Sequence, residues 1–236
     1  MAYNIIFNNK SNEELDIQVT KRPFIPVPTR RFKEIEIKGH DGKYYLDEET
    51  YDDIIIPTDF SFIENDLDNI RSRVRNIKYW IENVKNNRLI LSDDPDVFYK
   101  VCKAELGNVT YENLYEIQNF TVNFTCKSYQ YLITGQKEIQ LQNVLFNHWD
   151  KCTPTYRIVG NGICAFSINN TIVNCTVNGE LLIDTEFDKI LNSDRTLAIG
   201  KTDIKRMQDL YLQEKRNTFN WTSGFTIYIT PKWRTI

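Results

Sequence analysis

The stretch from Thr153 to Glu186, TPTYRIVGNGICAFSINNTIVNCTVNGELLIDTE, constrains the fold more than any other part of the chain. Three turn signals cut it, at Gly160-Asn161-Gly162, Asn169-Asn170 and Asn178-Gly179. Between them lie short runs rich in Ile, Val, Phe, Tyr and Thr, the residues that fit a pleated surface. Asn-Gly between apolar runs is a strong hairpin signal, because both residues tolerate positive φ. The pattern predicts four consecutive antiparallel strands: Tyr156 to Val159, Ile163 to Ile168, Ile172 to Val177 and Glu180 to Asp184. Cys164, Phe166 and Ile168 fall on one face, as do Val173, Cys175 and Val177. One packed face and one wetter face describe half of a β-sandwich and exclude a helical or parallel α/β fold.

The rest of the chain extends the β reading. Asn4 to Phe7 and Leu15 to Val19 read as strands. Lys21 to Pro28 carries Pro23, Pro26 and Pro28, and proline cannot donate to a ladder, so this piece reads as an edge or an extended arm. Phe32 to Ile37 and Lys43 to Leu46 flank a Gly39-His40-Asp41-Gly42 turn and predict a hairpin. Asp52 to Pro57, Phe60 to Ile63, Arg88 to Leu91, Val97 to Leu106 and Tyr115 to Cys126 follow as strands. One helix is predicted, over Asp66 to Asn86, capped by Asn65 or Asp66. There Leu67, Ile70, Val74, Ile77, Ile81 and Val84 recur at spacings of 3 and 4 and form a single apolar stripe. The polar stretch Ser128 to Gln136 reads as a linker, placing domains at 1–131 and 132–236. In the second half, Thr196 to Ile199 reads as a strand, Asp203 to Lys215 as containing a helical turn, and Phe219 to Thr230 as closing the sandwich.

Composition excludes several classes of function. A net charge of -3 over 236 residues argues against binding nucleic acid through global charge. No run of 18 apolar residues is present to span a membrane, and the first residues do not read as a secretory signal. The five cysteines include no C-x-x-C pair and only two histidines accompany them, so a zinc site is not expected and the thiols read as reduced and mostly buried. The sequence lacks G-x-S-x-G, a P-loop and G-x-G-x-x-G, and no catalytic residue or cofactor is predicted. His148-Trp149-Asp150 alone has no catalytic specificity. The acids between 41 and 68 lack the spacing of a calcium loop. They do segregate: ten acids face one base there, Lys43, for a net of -9, whereas 69–90 holds six bases and Glu82, for +5. Separated signs let a surface meet a copy of itself head to tail.

Several segments in order carry a family resemblance. They are the Gly39 to Gly42 tip followed by the acidic-aromatic run to Tyr51-Asp52-Asp53; a helix with Trp80 near its end; Leu89 to Asp94; and Phe98 to Lys100. Later come Pro154 to Gly160, the Asn-Gly turn running into Leu182-Ile183-Asp184, and Asn220-Trp221 leading to Ile229 through Arg234. Together they resemble the distal tail protein family of long-tailed phages and phage-tail-like particles of Gram-positive bacteria. The resemblance implies a mainly β fold: an N-terminal tail-tube-like β-sandwich with one packed helix, and a C-terminal galectin-like antiparallel β-sandwich. It also implies a non-enzymatic hub at the virion tail tip, a homohexameric ring joining the tail tube protein to a tail-tip or tail-associated protein. Larger members insert an arm that holds receptor-binding proteins; this chain has no extra block of that kind. It departs from the pattern at Gln213 to Asn217, where a Pro-Gly is usual.

On that reading the candidate ring-interface residues are Pro23, Pro26, Pro28, Phe32, Asp41, Asp52, Asp53, Arg71 and Arg75. A glycan-binding module, with Trp149 or Trp221 stacking on sugar, is the alternative. A tail-associated hydrolase stays open as a third class, although neither a carboxylate pair nor a Cys-His spacing signals one.

Overall fold

In the computed structural model, which describes residues 3–64, 66–108, 110–111 and 117–236, the residues up to Gln130 together with Ile236 form one unit and Tyr131–Thr235 a second. The first is built from β1 (Ile5–Phe7), β2 (Lys10–Ser11), β3 (Gln18–Val19), β4 (Arg30–Ile35), β5 (Tyr44–Tyr51) and β6 (Ile54–Ile63). Helix α1 (Leu67–Glu82) follows, then β7 (Arg88–Leu91), β8 (Asp94–Leu106), β9 (Thr110–Tyr111) and β10 (Ile117–Leu132). The main sheet runs β2-β1-β7-β8-β10-β6-β3, with β9 also beside β10. The strand expected from Tyr115 begins at Ile117; Tyr115 lies outside the described residues.

Alternation along β6 and β10 turns Ile56, Phe60, Phe120, Val122 and Phe124 inward, and α1 lays Ile70, Ile77, Trp80 and Ile81 on them. Trp80 Nε1 donates to the Phe7 carbonyl at 2.8 Å, satisfying the one polar atom the indole buries. The Asp66 side chain caps the helix by accepting from Asp68 N, while Asn65 lies outside the described residues. The helix ends at Glu82, four residues before the periodicity suggests. The Asn8 amide is the cause: its Nδ2 donates to the Trp80 and Asn83 carbonyls, and its Oδ1 accepts from Lys85 N. A side chain 75 positions away from Asn83 thus caps the C-terminus, and Val84 leaves the stripe exposed. The two strands expected at Asp52 to Pro57 and Phe60 to Ile63 are one, with Pro57 inside it. At Pro57 β6 has β10 on one side only, because β3 reaches no further than Phe60 and Ser61, and an open edge tolerates a residue without an N–H.

The second unit contains β11 (Ile139–Gln140), β12 (Val144–Asn147), β13 (Thr155–Ile168), β14 (Thr171–Asp184), β15 (Lys189–Asn192), β16 (Lys215–Trp221) and β17 (Thr226–Thr230). Here the four short strands expected between Tyr156 and Asp184 are two long ones, joined at Asn169-Asn170. The other two turn signals face each other in register, Gly160 against Gly179 and Asn161 against Asn178. Positive φ at Gly160, Gly162 and Gly179 bends a continuous ladder instead of reversing it, and Asn161 Oδ1 accepts from Gly179 N at 2.9 Å. On one side of the bend β13 pairs β17 through Thr155 to Val159; on the other it pairs β16 through Phe166 to Ile168. The same face stays inward throughout. Tyr156, Ile158, Phe166, Ile168, Val173, Leu181 and Ile183 share one core with Phe219, Ile227 and Ile229.

Three further expectations change. Ser128 to Gln136 is not an exposed linker: β10 continues to Leu132 and a 3-10 turn spans Ile133–Gln136. Leu132 N donates to the Trp233 carbonyl and Lys232 N to the Gly135 carbonyl, which ties the segment down. Gly135 is buried there, and a Cβ on it would lie 2.4 Å from Trp233 N. Thr196 to Ile199 is no strand; the Asp194 carboxylate holds Thr196 in a turn, leaving an isolated bridge between Leu191 and Leu197. The expected helical turn before Lys215 is the 3-10 segment Met207–Leu210.

Candidate functional site

The hairpin β4–β5 differs from the rest of the first unit in that, among the described residues, its strands pair only with each other; at its base the Tyr51 ring packs edge-on against Tyr129 at 5.9 Å between centres. Its two strands form a separate sheet, and nearly every residue in them is exposed. The register pairs Ile35 with Tyr44, Lys33 with Leu46, Glu34 with Tyr45 and Phe32 with Asp47. Ile35, Tyr44 and Leu46 therefore share one face, and Phe32 and Tyr45 the other. Phe32 is 50% exposed, Tyr45 63% and Leu46 57%. A lone two-stranded hairpin in water is marginal at best.

Exposed ion pairs add to the ladder between its strands. Arg30 bridges Asp47, Arg31 reaches Glu48 and Asp52, and Lys43 reaches Glu34 at 2.6 Å. The Glu49 backbone N–H and the Arg30 guanidinium together hold the Asp47 carboxyl below the usual carboxylate range. Glu34 pushes the Lys43 ammonium up. Pairs this exposed each contribute only about 0–1 kcal/mol.

The structure distributes the candidate interface residues unequally. Pro23 is buried and Pro26 and Pro28 are half-buried, so the arm lies along its own unit, with Ile25 packed against the core. Its root is pinned where Arg22 and the Tyr3 hydroxyl both meet Asp93, at 2.6 and 2.7 Å. Phe24 and Val27, which the sequence did not single out, point outward at 72% and 85% exposure. Phe32 and Asp41 sit on the free hairpin. Asp52 and Asp53 are engaged within the chain, by Arg31 and by Lys127 at 3.2 Å. Asp47, Glu48, Asp52 and Asp53 of the acidic run are thus matched within the chain by Arg30, Arg31 and Lys127. Arg71 and Arg75 are exposed on α1 and make no ion pair among the described residues. Arg73, between them, is spent on Asp16 and on the Ile63 carbonyl while lying 4.9 Å from the Phe62 ring centre. The exposed apolar residues of the hairpin carried a signal, the alternation from Phe32 to Ile37, but alternation does not say whether a packed face finds its partner in the same chain.

In the second unit Trp221 is half-buried, packs against the core and donates its Nε1–H to the Phe225 carbonyl at 3.1 Å. Trp149 is the open one, at 41% exposure, beside His148, which stacks on Phe146.

Three comparisons with known proteins bear on the chain. The family described as phage tail protein RIFT-related domain matches residues 9–126. No curated protein matches. Among solved structures, the crystal structure of the Dit protein (gp 19.1) of SPP1, described as a paradigm of the hub adsorption apparatus in phages infecting Gram-positive bacteria, is similar with a TM-score of 0.70. The match covers 97% of this chain and 98% of that one at 15% identity, a likeness of fold.

Proposed function

The chain belongs to the phage tail protein RIFT-related domain family, and on that premise we propose that it is the structural hub of a tail tip, a homohexameric ring joining the tail tube to the adhesion device. The first unit forms the ring; the second, a galectin-like sandwich, projects from it. Its partners are further copies of itself, the tail tube protein, a tail-tip protein and, through these, a receptor-binding protein. The role is architectural and requires no reaction. Likeness of fold to a protein described as a hub supports the reading over the whole length of the chain.

The single observation that carries the ring is the unpartnered hairpin. Ile35, Tyr44 and Leu46 on one face, with Phe32 and Tyr45 on the other, expose apolar surface that a monomer leaves in water. A ring needs a heterologous contact, in which one patch meets a different patch on the next copy. A hairpin extended from one subunit and received by the body of its neighbour is such a contact. Phe24 and Val27 on the arm enlarge the donor surface, and the exposed Arg71 and Arg75 on α1 mark a chemically different face to receive it.

Light scattering behind a sizing column tests this. Six copies of 27.9 kDa give about 167 kDa. Tyr44→Asp with Leu46→Asp, on one hairpin face and outside the core, is expected to yield a folded monomer. A wild-type protein that stays monomeric at all concentrations, or stops at a two-fold dimer, refutes the ring. A ring indifferent to the double substitution refutes the hairpin's part in it.

A further inference from the structure

We propose that the second unit carries a carbohydrate-binding cleft on its β12–β16 side, with Trp149 as the stacking platform. The cleft has a volume of about 550 Å³ and is lined by Phe146, His148, Trp149, Asp150, Glu214 and Lys215 among others. That volume falls within the ~300–1,000 Å³ typical of small-molecule sites.

Both walls are held rigidly, each by a buried asparagine. On one, Asn147 Oδ1 accepts from Trp149 N at 3.0 Å while its Nδ2 donates to the Asp150 carbonyl at 2.9 Å. The Cys152 thiol donates to the same carbonyl at 3.0 Å. On the other, Asn217 Oδ1 accepts from Gln213 N at 2.9 Å and its Nδ2 donates to the Gln213 carbonyl at 2.8 Å, closing the loop that presents Glu214 and Lys215. The two walls are neighbours across one ladder, since Asn147 pairs with Lys215. A site whose backbone is fixed before the ligand arrives loses little entropy on binding.

The chemistry of the lining selects the ligand. A pyranose presents an apolar C–H face and a rim of hydroxyls that both donate and accept. Trp149 and Phe146 offer aromatic surface for the first, exposed at 41% and 54%. The Glu214 carboxylate accepts, the Lys215 ammonium donates, and the His148 imidazole does both. The charges are mixed in sign, whereas a phosphate-rich ligand calls for a cationic site. Trp221 offers no comparable platform, because its N–H is already bonded and its ring packs on the core. This inference is independent of the ring: a sandwich carried by a monomer or by a hexamer presents the same cleft.

The four tryptophans give a direct readout. Indole N–H signals of ¹⁵N-labelled protein are followed while neutral hexose and N-acetylhexosamine oligosaccharides are titrated in. The signal assigned to Trp149 through Trp149→Phe is expected to shift saturably, and those of Trp80 and Trp221 to stay in place. Trp149→Ala and Glu214→Gln are each expected to weaken binding at least about fivefold, the loss that follows removal of an interface anchor worth ~1 kcal/mol. The unmoved Trp80 and Trp221 signals report that the variants remain folded. No saturable shift with any oligosaccharide overturns the proposal, as does binding that survives Trp149→Ala. A Trp149 shift produced by another tail protein and by no sugar overturns it too, and makes the cleft a protein contact.

Discussion

Replacing Ile77 with alanine tests the central packing claim for the first unit. Ile77 lies on the inward stripe of α1, buried at 4% exposure, between Ile70 and Ile81. The change removes three carbons, a transfer loss of about 2.4 kcal/mol at ~0.8 kcal/mol for each. Ile77 shares its core with the Phe60 and Phe120 rings, stacked at 5.3 Å between centres, and a core of this kind relaxes only partly around a truncation. The cavity left behind therefore raises the cost to about 3–4 kcal/mol, inside the ~2–5 kcal/mol range of such truncations. Arg75→Ala, two positions earlier on the exposed face and with no ion pair among the described residues, is expected to cost under about 0.5 kcal/mol. Amide exchange read by mass spectrometry in peptides from α1 and β6 gives both values without assuming that the two units unfold together. Equal costs for the two substitutions refute the assignment of the stripe.

Further outcomes follow from single contacts in the second unit. Gly135→Ala places a Cβ 2.4 Å from Trp233 N, a backbone atom that moves only with the chain, and is expected to cost about 1–3 kcal/mol in a thermal melt. Lys232 is held between Asp184 and Glu186 at 3.0 and 2.9 Å, and Lys232→Met leaves the two carboxylates facing each other. The expected loss is about 3 kcal/mol, against almost none for Lys103→Met in the exposed pair with Glu105; denaturant midpoints compare the two. Arg157 grips Glu138 at 2.8 and 2.6 Å and holds its carboxyl below the ordinary range. Because the folded value is depressed, this stabilisation is fully present above the unfolded value of about 4.3 and is lost as pH falls through the folded one. Wild type and Glu138→Gln should thus differ in melting temperature at neutral pH and converge in acid; a constant difference counts against the pair.

Elements whose partners lie close in sequence were legible before the structure. The α1 stripe, the Gly39 to Gly42 tip and the inward faces around Cys164 and Cys175 all follow from local periodicity. Features set by distant groups were not. The end of α1 depends on Asn8, and the burial of Gly135 depends on Trp233. Glycines in an Asn-Gly setting satisfy a reversal and a bend equally well, so only the register of β13 against β14 reveals which is used. At the candidate interface, counting charges located the acidic and basic runs but not their partners. Arg30, Arg31 and Lys127 lie outside the acidic window, yet they consume much of it. Exposure separates Trp149 from Trp221, and sequence does not carry exposure.

The facing glycines of β13 and β14 have a mechanical consequence. A sandwich whose layers are joined by loops relies on side-chain packing to keep the layers aligned. Here one creased ribbon, two strands wide, is a covalent member of both layers, so no loop closure is needed between them. Sliding one layer past the other requires bending the ribbon at Gly160 and Gly179, and any side chain at Gly160 strikes the Phe225 ring at 2.4 Å. Force applied at the Asn169 tip reaches β17 and β15 through the crease and the ladders that β13 and β14 make with them.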